Sequence, residues 1–303
     1  MNYVFFGIVS AHPLHHRNLA GQDYSKIFFE IPTVKDTDLY LLCKVKKLRV
    51  ILWKTFILGN WLRISFKVGD KVSRGFWLNT SLTFGLSDLK IDRRRSSPTH
   101  LAFLDNNGQS LVIPPESFEQ LLDLNLNNSP EILYVGESKD MKKRALKHEK
   151  ISPAIAGLQD DEELRLHFLK IKYEYNFSNG NILNCVSLNM HKHLYIPGYD
   201  FEMVERLKVQ VAERFLINYY RPLLNKTHKG DNISKNKIIV DFQKKLNIQR
   251  VLMGTEMHGT SFQFWSPYQR LKSKDFVFNF GENPGYQTLD LPSWIGNHLS
   301  NFK

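Results

Sequence analysis

Residues 131–150 change abruptly from a strand-like pattern to a strongly basic, helical one. The apolar run stops at Tyr134-Val135-Gly136, and a helical pattern rich in lysine follows over 139–150. Short apolar runs bounded by turn residues are typical of buried strands. The segment therefore predicts a strand–turn–helix unit. This unit is either an ordinary structural element with a solvated basic face or one half of a site for phosphate chemistry.

The clearest helix in the chain is predicted from Phe201 to Tyr220, and Pro222 ends it. One apolar stripe forms a normal core face; it consists of Val204, Leu207, Val211 and Phe215. Glu213 points roughly opposite this stripe, yet its neighbours on its own side of the helix are also mostly apolar. A carboxylate in such surroundings is costly unless a cation pairs with it. Glu213 is therefore either an edge-of-core residue or the partner of a divalent cation or a buried arginine.

Together, the two segments resemble the GIY-YIG nuclease family. The "YVGESKDMKKR" stretch is similar to the family's YIG strand and the helix after it, and "ERFLINYYRPLLN" is similar to the family's final helix. The matching positions are Tyr134, Gly136, Ser138, Arg144 and His148 in the first segment and Glu213, Pro222 and Asn225 in the second. The resemblance covers about Thr99 to Thr227.

The resemblance implies an α+β fold, with a small, mainly antiparallel sheet flanked by helices. It also implies an activity, the metal-dependent hydrolysis of phosphodiester bonds. Glu213 would bind one Mg²⁺ or Mn²⁺ ion, since such a hard cation keeps most of its waters and needs few carboxylates. Arg144 would hold the phosphate through its planar fork of donors.

The remaining implied roles concern proton transfer and support. Tyr134 would act as the general base or orient the attacking water. His148 lies one turn beyond Arg144 and would position Tyr134 or shuttle its proton. Gly136 and Asn225 would be structural, with Asn225 tying the end of the last helix to the sheet.

One residue of the family pattern is missing. The family's GIY strand supplies a second active-site tyrosine, but no tyrosine lies between Tyr40 and Tyr134. We expect the upstream strand to be "HLAFLD" or "QSLVI", which would place His100, Phe103 or Ser110 near the position that the missing phenol would occupy. Candidates from elsewhere in the fold are Tyr173, Tyr175, His191, His193 and Tyr195. Either another residue replaces the phenol, or the site works without it, or the domain is a nuclease-derived binding module.

The charge of the chain favours an anionic partner. There are 41 Lys and Arg residues against 30 Asp and Glu, a formal charge of +11. This favours nucleic acid ahead of a membrane. Between Leu41 and Trp77, basic residues alternate with aromatic ones. Such a pattern suits a surface that grips phosphates and stacks on bases, or strands with a solvated basic face and an aromatic core. The predicted partner is duplex or branched DNA, and the candidate DNA-binding residues are Lys46, Lys47, Arg49, Lys142 and Lys143.

The patterns predict three units along the chain. Residues 1–92 form a mostly β, basic domain that binds DNA, 99–227 form the nuclease domain, and 238–303 form an extension of mixed structure. The two distant cysteines make no disulfide framework and favour a cytoplasmic location. No apolar run is long enough to span a bilayer.

The predicted function is that of a metal-dependent endonuclease of the restriction or phage-defence type. The alternative is a catalytically degenerate nucleic-acid-binding protein, or a nuclease subunit that a partner protein activates. A homo-oligomer also remains open.

Overall fold

The structure, a computed structural model, describes residues 3–15, 37, 39–85, 88–121, 124, 126, 129–137, 149–179, 182–187, 201–227, 237, 240–241, 244, 250–256, 264–268 and 276–280. The strands are β1 (Tyr3–His15), β2 (Leu39–Lys46), β3 (Leu48–Val50), β4 (Phe56–Leu58), β5 (Trp61–Ile64), β6 (Phe66–Val68), β7 (Lys71–Val72), β8 (Phe76–Asn79), β9 (Lys90–Ile91), β10 (Leu101–Leu104), β11 (Ser110–Ile113), β12 (Glu131–Glu137), β13 (Glu162–Asn179), β14 (Ile182–Ser187), β15 (Arg250–Glu256) and β16 (Phe276–Phe280). The α-helices are α1 (Thr80–Phe84), α2 (Pro115–Leu121), α3 (Ile151–Ala156) and α4 (Phe201–Tyr220).

This part of the chain is α+β, with mainly antiparallel sheets and few helices. The predicted strand before Gly136 and the predicted helix from Phe201 to Tyr220 are both confirmed.

The largest sheet in the described part of the chain has seven strands. Its order is β12-β2-β13-β1-β15-β16, and β14 also pairs with β13. Only β1 and β15 pair in parallel among these strands. Strand β2 lies between two neighbours, and its first five residues, Leu39 to Cys43, are all buried. A strand covered on both faces reads as a continuous apolar run, which explains its sequence.

Residues 48–126 form an insertion between β2 and β12, two strands that are direct neighbours in the large sheet. The insertion contains three small antiparallel sheets, ordered β3-β6-β7, β4-β5-β8 and β11-β10-β9. They share one hydrophobic cluster that includes Leu48, Phe66, Phe103 and Phe118. The insertion therefore has its own core.

The predicted division between residues 92 and 99 lies inside this insertion. Strands β9 and β10, on either side of it, pair with each other, and the shared cluster draws residues from both sides. Strands β1 and β2, which precede the insertion, belong to the large sheet, as do β15 and β16 near the C-terminus. The polar stretch "DRRRSSPTH" is a turn between paired strands because its backbone and side chains bond locally, for example Asp92 with the N–H of Arg94 (3.0 Å). No helix in the described residues is long and apolar enough to cross a membrane.

Candidate active site

Tyr134 lies beside a second tyrosine, Tyr40, which the sequence prediction did not include. Strands β12 and β2 are antiparallel, with Tyr134 opposite Leu42 and Gly136 opposite Tyr40. Residues 134 and 136 of β12 lie on the same face of the sheet, and Tyr40, which is opposite Gly136, shares that face. Their ring centroids are 6.0 Å apart, with an interplanar angle of 36°. Tyr134 is half-buried, whereas only 1% of Tyr40 is exposed.

The prediction that "HLAFLD" or "QSLVI" forms the strand beside that of Tyr134 is wrong. Strand β10 and strand β11, which contain the "HLAFLD" and "QSLVI" residues, pair with each other within the insertion. Phe103 belongs to the insertion's core, and His100 bonds to the carbonyl of Arg95 (2.7 Å). The strand that pairs with β12 is β2, and its tyrosine is Tyr40.

Other candidates for the second phenol lie further away or outside the described residues. The residue of β13 opposite Tyr40 is Phe168. Tyr173 and Tyr175 lie at least five residues further along this strand, or ~16 Å at ~3.3 Å per residue. Outside the described residues are His191, His193 and Tyr195.

Gly136 is where the two tyrosines approach the backbone. A Cβ at this position would lie 2.6 Å from Tyr134 Cε1 and 2.6 Å from Tyr40 Oη. Both contacts are shorter than real Cβ atoms show, and the Tyr40 ring is held in a packed core. A side chain at Gly136 would therefore displace both phenols.

Asn225 joins the end of α4 to the outer edge of β12. Its Oδ1 accepts from the N–H of Val135, and its Nδ2 donates to the carbonyl of Val135, both at 2.9 Å. The N–H of Leu224 donates to the carbonyl of Leu133, also at 2.9 Å. Helix α4 ends because Pro222 cannot continue it and Arg221 takes a left-handed φ of 48°. These bonds satisfy the edge strand and fix α4 relative to the strand that carries Tyr134.

Glu213 is half-buried on α4, the helix that packs mainly against β12. Around it the helix is buried at Ala212, Leu216 and Ile217. A carboxylate oxygen is the type of ligand that Mg²⁺ and Mn²⁺ prefer. Among the described residues, no group of three or more His, Cys, Asp or Glu side chains could hold a metal ion.

The basic half of the predicted site lies outside the described residues. This applies to Ser138, Lys142, Lys143, Arg144 and His148. The three other predicted DNA-binding residues are described, and each has a partner in the protein. Lys46 contacts Asp161 at 3.0 Å and Glu162 at 3.2 Å, and the Asp161 hydrogen bond is the main cause of its raised pKa. Lys47 donates to the carbonyl of Asp160, and Arg49 contacts Glu163 at 3.4 Å.

A buried charged group, the junction cluster, joins the insertion to the large sheet. It consists of Arg49, Glu116, Glu119, Glu163 and Arg165. The guanidinium of Arg165 contacts Glu116 and Glu163 at 3.1 Å and Glu119 at 3.9 Å. Burial raises the pKa of Glu119 to about 7; Glu116 adds to this rise and Arg165 opposes it. Arg165 lies in β13 and the helix α2 supplies Glu116 and Glu119, so this cluster fixes the insertion on the sheet.

The chain matches no protein-family model, no curated protein and no solved structure. The assignment of the site therefore depends on the residues and their geometry. The sequence prediction did not include Tyr40 because the whole insertion separates it from Tyr134 along the chain. The available signal was the run "LYLLCKVK", which has the composition of a central strand.

Proposed function

We propose that this chain is a metal-dependent, GIY-YIG-like endonuclease that hydrolyses phosphodiester bonds in DNA. The observation that carries the proposal is the pair of tyrosines on neighbouring antiparallel strands. Tyr40 lies opposite Gly136 and its ring is 6.0 Å from that of Tyr134. Tyr40 is thus a second phenol beside the "YVG" tripeptide, whereas the strands expected upstream of Tyr134 contain no tyrosine. In this proposal the insertion interrupts the nuclease sheet between its GIY-like and YIG-like strands.

The residues would divide the chemistry between them. Tyr134 is half-buried and would orient or deprotonate the attacking water, with the Tyr40 hydroxyl fixing its position. Arg144 would hold the phosphate by paired hydrogen bonds, and His148 would take or return the proton of Tyr134. Mg²⁺ or Mn²⁺ on Glu213 would stabilise the charge that develops on the phosphate oxygens.

Support for the assembly of these groups comes from the contacts around them. Asn225 binds both backbone polar groups of Val135, next to Tyr134. It thereby couples α4, which carries Glu213, to the strand that carries Tyr134. We place the enzyme in the cytoplasm, with a restriction or phage-defence role by analogy with other nucleases that carry an additional domain.

The test is cleavage of supercoiled plasmid, linear duplex and branched DNA in Mg²⁺, Mn²⁺ or EDTA. Wild-type protein should nick or cut at least one substrate in a metal-dependent manner. Glu213→Ala and Arg144→Ala should each lose the activity while keeping the wild-type unfolding transition. Cleavage that survives in both variants, or that is unaffected by EDTA, would contradict the proposal.

A second candidate function is a binding protein on a degenerate nuclease scaffold, or a subunit activated by a partner. The observation that favours it is the burial of Tyr40, whose hydroxyl has almost no contact with solvent. Salt-sensitive DNA binding by wild type and both variants, with no cleavage under any condition, would favour this candidate for the isolated chain.

A further inference from the structure

One surface of the insertion exposes several aromatic side chains that the hydrophobic core does not use. Strands β4, β5 and β8 pair in the order β4-β5-β8, so alternate residues point to opposite faces. The inner face supplies Leu62, Ile64 and Leu78 to the insertion's core. The outer face, which we call the aromatic face, carries Phe56, Leu58, Trp61, Arg63 and Trp77.

The exposure of these residues is unusual for their type. Trp61 is 49% exposed, Trp77 is 50% exposed and Leu58 is 68% exposed. Trp53, on the turn before β4, is 79% exposed. Large apolar side chains that are exposed together mark a surface that binds a partner.

Arg63 occupies the middle of the aromatic face. The register places it between Phe56 on β4 and Trp77 on β8. Its guanidinium carbon lies 5.7 Å from the centroid of the Phe56 ring, and that ring meets Trp77 edge-on at 5.8 Å. A Cβ at Gly75 would lie 2.8 Å from the Arg63 guanidinium, so the glycine leaves room for it. The cation and the rings therefore form one pre-arranged surface.

A second cation and ring extend this surface. The ammonium of Lys54 lies 4.6 Å from the centroid of Trp53. Arg93 donates to the carbonyl of Thr55 at 2.6 Å and to that of Leu52, which fixes the turn that carries this pair. In the described part of the chain, neither Lys54 nor Arg63 makes a salt bridge, unlike Lys46 and Arg49. Arg63 donates to the carbonyl of Lys54 at 3.3 Å, which is a neutral acceptor, so the positive charge of the aromatic face is still available to an external anion.

We propose that the aromatic face binds single-stranded nucleic acid, with unpaired bases on Trp61 and Trp77 and phosphates on Arg63 and Lys54. Tryptophan rings stack on any base, and interleaved cations neutralise the backbone, which together give binding with little sequence preference. The formal charge of +11 and the absence of a carboxylate partner for Arg63 and Lys54 among the described residues favour a polyanion as the occupant of this face. The inference extends the proposed nuclease function by naming its substrate class, a strand that is unpaired at least locally.

The test is the affinity of the full chain for fluorescein-labelled oligothymidine and for a duplex of equal length, both in EDTA. Wild type should bind the single strand more tightly. The double variant Trp61→Ala/Trp77→Ala should weaken single-strand binding by at least about 5-fold, the smallest effect expected for loss of one stacked base. Arg63→Ala should reduce the salt dependence of binding.

Tyr268→Ala is the matched control, because Tyr268 is an aromatic residue, 64% exposed, outside the insertion. It should bind as wild type does. Equal affinity of wild type and the double variant for the single strand would overturn the inference, as would a preference for duplex that the double variant keeps. Association of the chain with itself that the double variant abolishes, without any binding to oligothymidine, would assign the face to a second copy instead.

These measurements do not depend on cleavage. Single-strand binding through the aromatic face with no metal-dependent cleavage would support this inference and count against the nuclease. Metal-dependent cleavage, together with equal single-strand affinity of wild type and the double variant, would support the nuclease and count against this inference.

Discussion

The junction cluster and the aromatic face both draw on one basic, aromatic-rich stretch of the chain, yet their side chains have opposite surroundings. At the junction, Arg49 contacts Glu163, and the neighbouring Lys46 contacts Asp161 and Glu162. On the aromatic face, Arg63 lies among exposed rings and makes no salt bridge to a described residue. A basic residue in this stretch is therefore not a binding residue by its type alone. What matters is whether the folded chain already supplies an anion for it.

Removing the central cation of the junction should have the largest effect on stability. Arg165→Met would leave Glu116, Glu119 and Glu163 close together without their shared partner. Loss of one partner from a buried ionic group costs about 3–5 kcal/mol. Urea unfolding should show this decrease in the free energy of unfolding. Arg63→Met, on the exposed face, should change it by less than about 0.5 kcal/mol; similar losses in the two variants would contradict the comparison.

The junction should also make stability depend on pH. The pKa of Glu119 is raised to about 7 in the folded protein, above its usual value of 4.5, chiefly by burial. The folded state therefore holds this proton more tightly than the unfolded state does. The contribution is complete below about pH 4.5 and is lost as the pH rises through 7, amounting to about 2–3 kcal/mol between pH 5 and 8.

The Glu119→Gln variant isolates this contribution. The pKa of buried His167 is lowered to about 3, mainly by burial and also by Arg165, and that group destabilises the fold at low pH instead. Because wild type and Glu119→Gln both contain His167, the contribution of this histidine cancels in the difference between their unfolding free energies. This difference should favour the variant increasingly between pH 5 and pH 8. A difference that does not change with pH would show that Glu119 titrates normally.

Gly136 tests how tightly the large sheet is filled near the tyrosines. Gly136→Ala places a methyl group 2.6 Å from atoms of both Tyr40 and Tyr134. Forcing an extra group into a packed site costs about 1–3 kcal/mol. We expect this loss in urea unfolding, together with loss of cleavage. Gly157→Ala is the control, because its nearest contact would be an ordinary 3.7 Å and its φ is negative.

The smallest effect should come from the cations that have partners. Lys46→Ala should weaken DNA binding by less than about twofold, because the Lys46 ammonium already contacts the carboxylates of Asp161 and Glu162. Arg63→Ala should weaken single-strand binding more. Fluorescence anisotropy with the same oligonucleotide at two salt concentrations compares them directly. A larger loss from Lys46→Ala than from Arg63→Ala would reverse the roles assigned to the two regions.

Local patterns predicted the elements well but not which strands would pair. The strand before Gly136 and the helix from Phe201 to Tyr220 are marked by periodicity, and Pro222 sets the end of that helix. The pairing of Tyr40 with Gly136 is a contact across the whole insertion, and no local preference encodes it. The same limit applies to the basic residues, because the carboxylates that neutralise Lys46 and Arg49 lie more than one hundred residues away in the chain.

The central claim is that Tyr40 and Tyr134 form one site, and Tyr40→Phe tests it most directly. This change removes a hydroxyl but keeps the ring that fills the core, and Tyr219→Phe gives a matched change at a buried tyrosine on α4. Single-turnover cleavage in Mn²⁺ should fall by about 10²-fold or more in Tyr40→Phe, with unchanged unfolding, because Tyr134 would lose the hydroxyl that fixes its position for proton transfer. Tyr219→Phe should cleave at the wild-type rate. Cleavage by Tyr40→Phe at the wild-type rate would contradict the account and leave Tyr40 with a packing role alone.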